Sequence, residues 1–361
     1  MKLRTTISYL LFPLTMWYAI GVAVRNFFFA SGLRKQSAPH ITTIGVGNLA
    51  TGGTGKTPHV EYLLRLLADK YPTAMLSRGY KRKSKGFVAD DGSHNPQQLG
   101  DEPAMMAAKF PNVQVAVCEK RIEGVKQLMT RSSNPEAPQL IILDDVFQHR
   151  QITPNINILL TEYGNPYFED RILPFGNLRE FRSGRSRAGI VIVTKCPERL
   201  NPVEKHNIIH DLRLQNYQKV FFSYLKYGSP TTMDGTPTDT DIRRLDGVLA
   251  VTGIANPEPL LAEMKRYTKV QSIAFPDHHG YTKRDIERIS GIFGDMPGKN
   301  KIIVTTEKDA VRLRGLTGDL PIYIIPIEVA FHKEKDLDFD QIIESSVREN
   351  ISFLSKLSIW S

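Results

Sequence analysis

The chain has 361 residues, 41% apolar and 24% charged, the ordinary balance of a globular protein with room for two or three domains. Its 47 basic and 38 acidic residues leave a formal charge of +9, which favours an anionic partner (nucleic acid, an acidic membrane face or a phosphorylated substrate) without choosing among them. Two cysteines, Cys118 and Cys196, are too few for a disulfide framework, and the absence of a C-x-x-C pair excludes the usual zinc spacing.

The N-terminal run TTISYLLFPLTMWYAIGVAV, residues 5–24, carries no charge and is bounded by Arg4 and Arg25. About 20 apolar residues suffice to cross a hydrocarbon core. Trp17, Tyr18 and Phe27 to Phe29, followed by Arg34 and Lys35, have the character of an interfacial anchor. The expectation is an apolar membrane helix over 1–35, spanning or half-inserted; a buried core helix and a cleaved signal peptide are the competing readings.

HITTIGVGNLA, residues 40–50, reads as a buried strand, and PHVEYLLRLLADKY, residues 58–71, has helical spacing at Val60, Leu63, Leu64 and Leu67. Between them lies ATGGTGKT. A glycine-rich loop between strand and helix is the setting in which backbone N–H groups cradle phosphates. Ala50, Thr51, Gly52, Gly53, Thr54, Gly55, Lys56 and Thr57 are therefore the candidate nucleotide-binding residues, with Lys56 reaching the β- and γ-phosphates and Thr57 a ligand for Mg²⁺. The usual pattern has Gly where this chain has Ala50, and a plain glycine turn is the bland alternative.

Such a loop needs an acidic residue at the end of a neighbouring strand. QLIILDDVFQH, residues 139–149, reads as a buried parallel strand with Asp144 and Asp145 at its carboxyl end. One of them is expected to serve Mg²⁺, directly or through water. Upstream, Asp101 in LGDEPAMMAAKF either caps the helix that Pro103 begins or acts as a base at its mouth. The basic run around Arg78, SRGYKRKSKGF, is either a solvated face or an attractor of acidic lipid.

The Thr-Lys pair of VTKCPERL, residues 193–200, lacks the N-K-x-D signature of GTPases. A turn-rich segment around residues 225–245 reads as a linker or hairpin. Beyond it, GVLAVTGIANPEPLLAEM and KNKIIVTTEKDAVRL are strand–loop–helix units, and LPIYIIPIEVAF reads as a last strand. In AFPDHHGYT, residues 274–282, adjacent His278 and His279 make a poor metal site. A single histidine there suits orienting a carboxylate or shuttling a proton, and a capping Asp277 with surface histidines is the alternative.

Taken in order, VGNLATGGTGKTP, SRGY, GDEP, LDDVFQHR, LPFGNLRE, VIVTKCP, TGIANP, FPDHHGYT and TTEKDAVRL resemble the tetraacyldisaccharide 4′-kinases, the lipid A 4′-kinase family, over nearly the whole chain. Val146, where the family's motif usually continues with Gly, is a small departure. The resemblance implies an α/β fold: a P-loop NTPase-type parallel sheet with flanking helices over 36–225, and a smaller C-terminal α/β domain over 226–361 that closes the active-site cleft.

It implies transfer of the γ-phosphate of ATP to the 4′-hydroxyl of an acylated glucosamine disaccharide 1-phosphate. The product is lipid IVA, and the site is the cytoplasmic face of the bacterial inner membrane. ATP and Mg²⁺ would be the cofactors, the enzyme a monomer, and nucleic acid no partner. By the same resemblance Asp101 is the base, His278 its orienting partner and Lys56 a phosphate ligand. Thr57 and one of Asp144 or Asp145 are metal ligands, with Glu180 assisting, and Arg121 and the basic strip near Arg78 meet the substrate's 1-phosphate or acidic headgroups. A membrane-tethered P-loop ATPase acting as a motor or adaptor is the alternative function. A nucleic-acid-dependent ATPase is disfavoured, because the basic residues lack interleaved aromatics for stacking bases.

Overall fold

The computed structural model describes residues 2–130, 137–333 and 337–358, with side chains from Pro13 to Leu357. It opens with α1 (Lys2–Ala30), followed by β1 (Thr42–Asn48), α2 (Lys56–Leu67), β2 (Thr73–Ser77), β3 (Val88–Ala89), α3 (Pro96–Leu99), α4 (Asp101–Lys109), β4 (Gln114–Val117) and α5 (Arg121–Thr130). Then come β5 (Leu140–Asp144), β6 (Ile156–Glu162), β7 (Ile190–Thr194), α6 (Pro202–Leu212) and β8 (Lys219–Tyr227). The remaining elements are β9 (Gly247–Thr252), α7 (Glu258–Lys265), β10 (Val270–Ala274), α8 (Lys283–Asp295), β11 (Lys301–Thr305), α9 (Glu307–Leu313), β12 (Ile322–Ile324), β13 (Ile327–Phe331) and α10 (Phe339–Ser358).

Two sheets organise the described residues. The larger runs β13-β8-β7-β6-β1-β5-β2-β4-β3 and the smaller β10-β9-β11-β12. Every neighbouring pair is parallel except β13 with β8 and β3 with β4, at the two edges of the larger sheet. Strands β1 and β5 are buried throughout, as strands covered by helices on both faces must be. Their register, Val46 opposite Asp144, carries the glycine loop and the paired aspartates to the same carboxyl edge. Leu63, Leu64 and Leu67 of α2 pack on one face of this sheet with Ile44, Met75 and Ile142.

The run LPIYIIPIEVAF is two strands. β12 lies in the smaller sheet, and β13 in the larger one. Pro326, which has no N–H to continue a ladder, stands at the break. Here the returning chain touches the outgoing one, where the Gly228 N–H donates to the Pro326 carbonyl at 2.9 Å. From β13 onward the chain stays with the larger sheet: Phe339, Ile343 and Val347 of α10 join its core, and Phe331 stacks on Phe339. The boundary set at 225/226 puts this segment with the smaller unit, whereas its sheet and core contacts lie with the larger. Local hydrophobicity does not say which sheet a strand will join.

The expectation of an apolar membrane helix at the N-terminus finds no support in the described residues. Among the described residues no helix is long and apolar enough to cross a membrane, and the side chains of residues 5–12, part of the apolar run, lie outside the described set. α1 is bonded to the body instead. Tyr18 donates to the Arg179 carbonyl at 3.0 Å, Arg150 donates to Asn26, and Val22 and Phe29 are buried. Its other side exposes Leu14, Trp17, Ile20, Val24 and Phe27.

Candidate active site

The glycine loop follows β1. Gly52 and Gly55 hold φ of 104° and 85°, a region that L side chains rarely adopt, so the loop's turns require glycine there. A Cβ built on Gly52 or Gly53 would meet nothing, so the loop's mouth is open. The loop is braced from outside. Asn48 donates to the Thr54 hydroxyl at 2.8 Å, Thr194 donates to the Thr54 carbonyl at 2.9 Å, and Thr51 N–H donates to Asn177. His59 sits beneath, with Nδ1 2.7 Å from the Gly55 carbonyl and Nε2 2.9 Å from the Ser223 hydroxyl. Since a carbonyl can only accept, Nδ1 carries the proton and Ser223 donates to Nε2. Burial pushes this imidazole down to about 4, so it stays neutral.

The two aspartates differ. Asp145, at φ 47°, is clamped by Arg179 at 2.9 Å and faces Lys56 Nζ at 3.6 Å. Burial alone would raise its carboxyl, but Arg179 and Lys56 hold it far below the usual range. Lys56 and Arg179 also donate to Asn48 Oδ1, tying the loop lysine to the end of β1. Asp144 is 6% exposed; Ser77 donates to its Oδ2 at 3.0 Å, while its buried Oδ1 has no partner among the described residues. Burial first, then Glu102 and Asp145, push its carboxyl up to about 6.

Asp101 stands at the first turn of α4, and its carboxylate reaches a residue 177 positions away. His278 Nδ1, on the loop between β10 and α8, lies 2.9 Å from Asp101 Oδ2. Arg312 of α9 donates to the same oxygen from Nη2 at 2.6 Å and Nε at 3.1 Å. Burial pulls this carboxyl upward, yet the bonds from Arg312 and His278 outweigh it and keep it below its usual value. His279, by contrast, turns to Asp285 at 3.1 Å within the cap of α8.

Two expected site residues sit elsewhere than at a surface. Arg121 is 2% exposed and donates to the carbonyls of Cys118 and Asp144, bracing the ends of β4 and β5; burial pushes it down to about 10. Glu180 is fully buried, with one oxygen on Arg187 at 2.8 Å and the other accepting from Gln148 at 3.1 Å. Arg78 is exposed, close enough to Arg121 and His149 to disfavour their protons.

Arg179 and Arg312 were not singled out from the sequence. Each lies in a motif quoted above, LPFGNLRE and TTEKDAVRL, and the available signal was a lone arginine beside acidic residues.

Among the described residues no group of three His, Cys, Asp or Glu could hold a metal ion. The unpartnered, buried Asp144 Oδ1 is the oxygen donor that fits Mg²⁺; both Asp145 oxygens already bond Arg179, and those of Glu180 bond Arg187 and Gln148.

The arrangement has counterparts. A family model described as tetraacyldisaccharide-1-P 4′-kinase matches residues 7–348. A tetraacyldisaccharide 4′-kinase of Bacteroides thetaiotaomicron is 42% identical over 356 residues, covering 94% of this chain and 93% of its own. One from Phocaeicola vulgatus is 43% identical over 349 residues, covering 94% and 95%. The crystal structure of LpxK from Aquifex aeolicus in complex with ATP is similar at a TM-score of 0.74 and 28% identity, over 94% of this chain and 99% of that one. The chain belongs to the tetraacyldisaccharide 4′-kinase family.

Proposed function

We propose that this protein transfers the γ-phosphate of ATP to the 4′-hydroxyl of a tetraacyldisaccharide 1-phosphate, forming lipid IVA in lipid A biosynthesis. The observation that carries the reading is a braced glycine loop and an Asp101–His278 pair, in a chain that matches this kinase family almost end to end.

Phosphoryl transfer needs positioning and charge neutralisation more than covalent help. Loop residues 50–57 bind the phosphates through N–H groups and the α2 N-terminus, and Lys56 neutralises the β- and γ-oxygens. Thr57 and Asp144 would hold Mg²⁺, whose chemistry there would be to neutralise charge on the phosphates. Asp145 keeps Lys56 and Arg179 oriented, and Glu180 braces the segment after β5 through Gln148 and through Arg187, which donates to the Phe147 carbonyl. The acceptor hydroxyl gives its proton to Asp101 as its oxygen bonds to the γ-phosphorus, and ADP leaves with the electrons of the broken P–O bond. His278 orients Asp101 from the smaller sheet, so closing the cleft between the sheets completes the site and excludes water.

The exposed apolar side of α1 lies on the cytoplasmic face of the inner membrane while the substrate's acyl chains stay in lipid, with Arg78 near the acidic headgroups. The enzyme acts as a monomer. The test is purified protein in detergent with Mg²⁺, γ-labelled ATP and tetraacyldisaccharide 1-phosphate, beside Lys56→Ala. Label entering lipid only with the unaltered chain supports the reading. Steady phosphate release with no lipid label refutes it in favour of an ATPase motor or adaptor.

A further inference from the structure

Helices α4 and α9 meet across the two sheets through three ion pairs. Lys109 meets Glu307 at 2.5 Å, Lys308 meets Glu102 at 3.4 Å, and Arg312 meets Asp101 at 2.6 Å. The first two pairs join partly exposed side chains, and Lys109 also meets the buried Glu61 at 2.5 Å. The third is built differently.

The Arg312 side chain is 7% exposed, and its donors are committed. Nη1 donates to the Gly253 carbonyl at 3.2 Å and to Asp309 Oδ1 at 3.1 Å. Asp309 is itself fully buried and accepts from the Gly253 N–H at 2.9 Å and the Thr306 hydroxyl at 2.8 Å. The guanidinium is therefore fixed by the turns after β9 and β11 and does not follow Asp101; Asp101 conforms to it. Nε and Nη2 both fall on Asp101 Oδ2, the oxygen that His278 also approaches. Among the described residues none bonds Oδ1.

We propose that Arg312 is a positioning residue of the transfer reaction: by occupying Oδ2 it holds the Asp101 carboxylate so that Oδ1 alone faces the acceptor hydroxyl. The inference rests on the reading of Asp101 as the base. Two guanidinium donors converging on Oδ2, charge-assisted and anchored in a buried network, hold that oxygen more firmly than the imidazole bond alone and leave Oδ1 free. The guanidinium also keeps the carboxylate ionised at the moment the proton arrives. The charged and titratable groups around the pair are Lys308 and Asp309 on α9, Asp277 and His278 on the loop after β10, Glu102 on α4, and Tyr80, whose ring lies against His278. In the step itself the hydroxyl proton moves to Asp101 Oδ1, the oxygen–phosphorus bond forms, and the bond to the ADP oxygen breaks.

The test uses the full chain in detergent, measuring kcat and KM from about pH 5 to 9 for the unaltered protein, Arg312→Met, Arg312→Lys and Lys109→Met. Lipid-dependent transfer by the unaltered protein comes first; without it the functional reading fails, and not this one. The expected result for Arg312→Met is a kcat lower by about 10- to 100-fold, the scale of a misplaced catalytic group, with KM for ATP little changed. Its acid limb moves to higher pH, because a half-buried carboxyl that loses its cation takes up a proton more readily. Arg312→Lys restores part of the rate and part of the limb. Lys109→Met cuts another pair between the same helices and leaves the limb in place. Wild-type kinetics in Arg312→Met overturn the proposal. So does a slower Arg312→Met whose acid limb has not moved, or a Lys109→Met that shifts the limb equally, since either makes Arg312 a tie between the sheets and nothing more.

Discussion

Replacing Asp101 with alanine separates chemistry from binding. A positioned general base contributes about 10²- to 10⁴-fold, so the transfer barrier should rise by roughly 3–5 kcal/mol. The fold should tolerate the change. Asp101 is 21% exposed in its side chain, and the arginine it leaves behind keeps Asp309 at 3.1 Å and the Gly253 carbonyl at 3.2 Å. An arginine still paired is not the abandoned buried charge that costs about 3–5 kcal/mol; about 1–2 kcal/mol is the expected loss, a few degrees in melting temperature. Nucleotide affinity should hold within about threefold, because no bond links Asp101 to loop residues 50–57 among the described residues, and uniform binding terms are unaffected by removing a base. The assay pairs single-turnover transfer of label to lipid with calorimetric titration of ATP and a thermal melt. Transfer at the normal rate would refute the base assignment. A loss of ATP affinity equal to the loss of transfer would show that Asp101 shapes the nucleotide site instead.

Arg187→Met should destabilise the protein by about 3–5 kcal/mol, since Glu180 is fully buried and would keep only its bond from Gln148. Urea unfolding measures this, the double variant with Glu180→Met should recover most of the loss, and a change under about 1 kcal/mol would contradict the argument. His59 predicts a pH dependence of stability. The unfolded imidazole takes a proton near its ordinary 6.5 and the folded one only near 4, so its contribution is full above the first value and is lost as pH falls toward the second, by up to about 3 kcal/mol. His59→Gln should flatten that slope in melts run from about pH 7 to 4, and an unchanged slope would place the acid sensitivity elsewhere.

The local parts of this site were legible in the residues themselves. A buried strand, a glycine loop and an amphipathic helix follow one another in sequence, so ATGGTGKT could be placed between β1 and α2 without knowing anything distant. The same holds for Asp144 and Asp145, whose apolar lead-in marks a strand and whose position marks its carboxyl end. The order of the short motifs carried the family.

Tertiary structure decided what depends on pairing between distant segments. It brought His278 to Asp101 across 177 positions and set Arg312 on the same oxygen. It distinguished the two aspartates, because Arg179 arrives beside Asp145 from the loop before β7, while Asp144 Oδ1 has no hydrogen-bond partner among the described residues. It turned Arg121 inward onto two carbonyls and split one apolar run between two sheets. It also laid α1 against the body through Tyr18, Asn26, Val22 and Phe29, where hydrophobicity alone suggested a span. Periodicity records how far a residue must hide from water, and that is local. Which charge stands opposite which is fixed only when the sheets and helices come together.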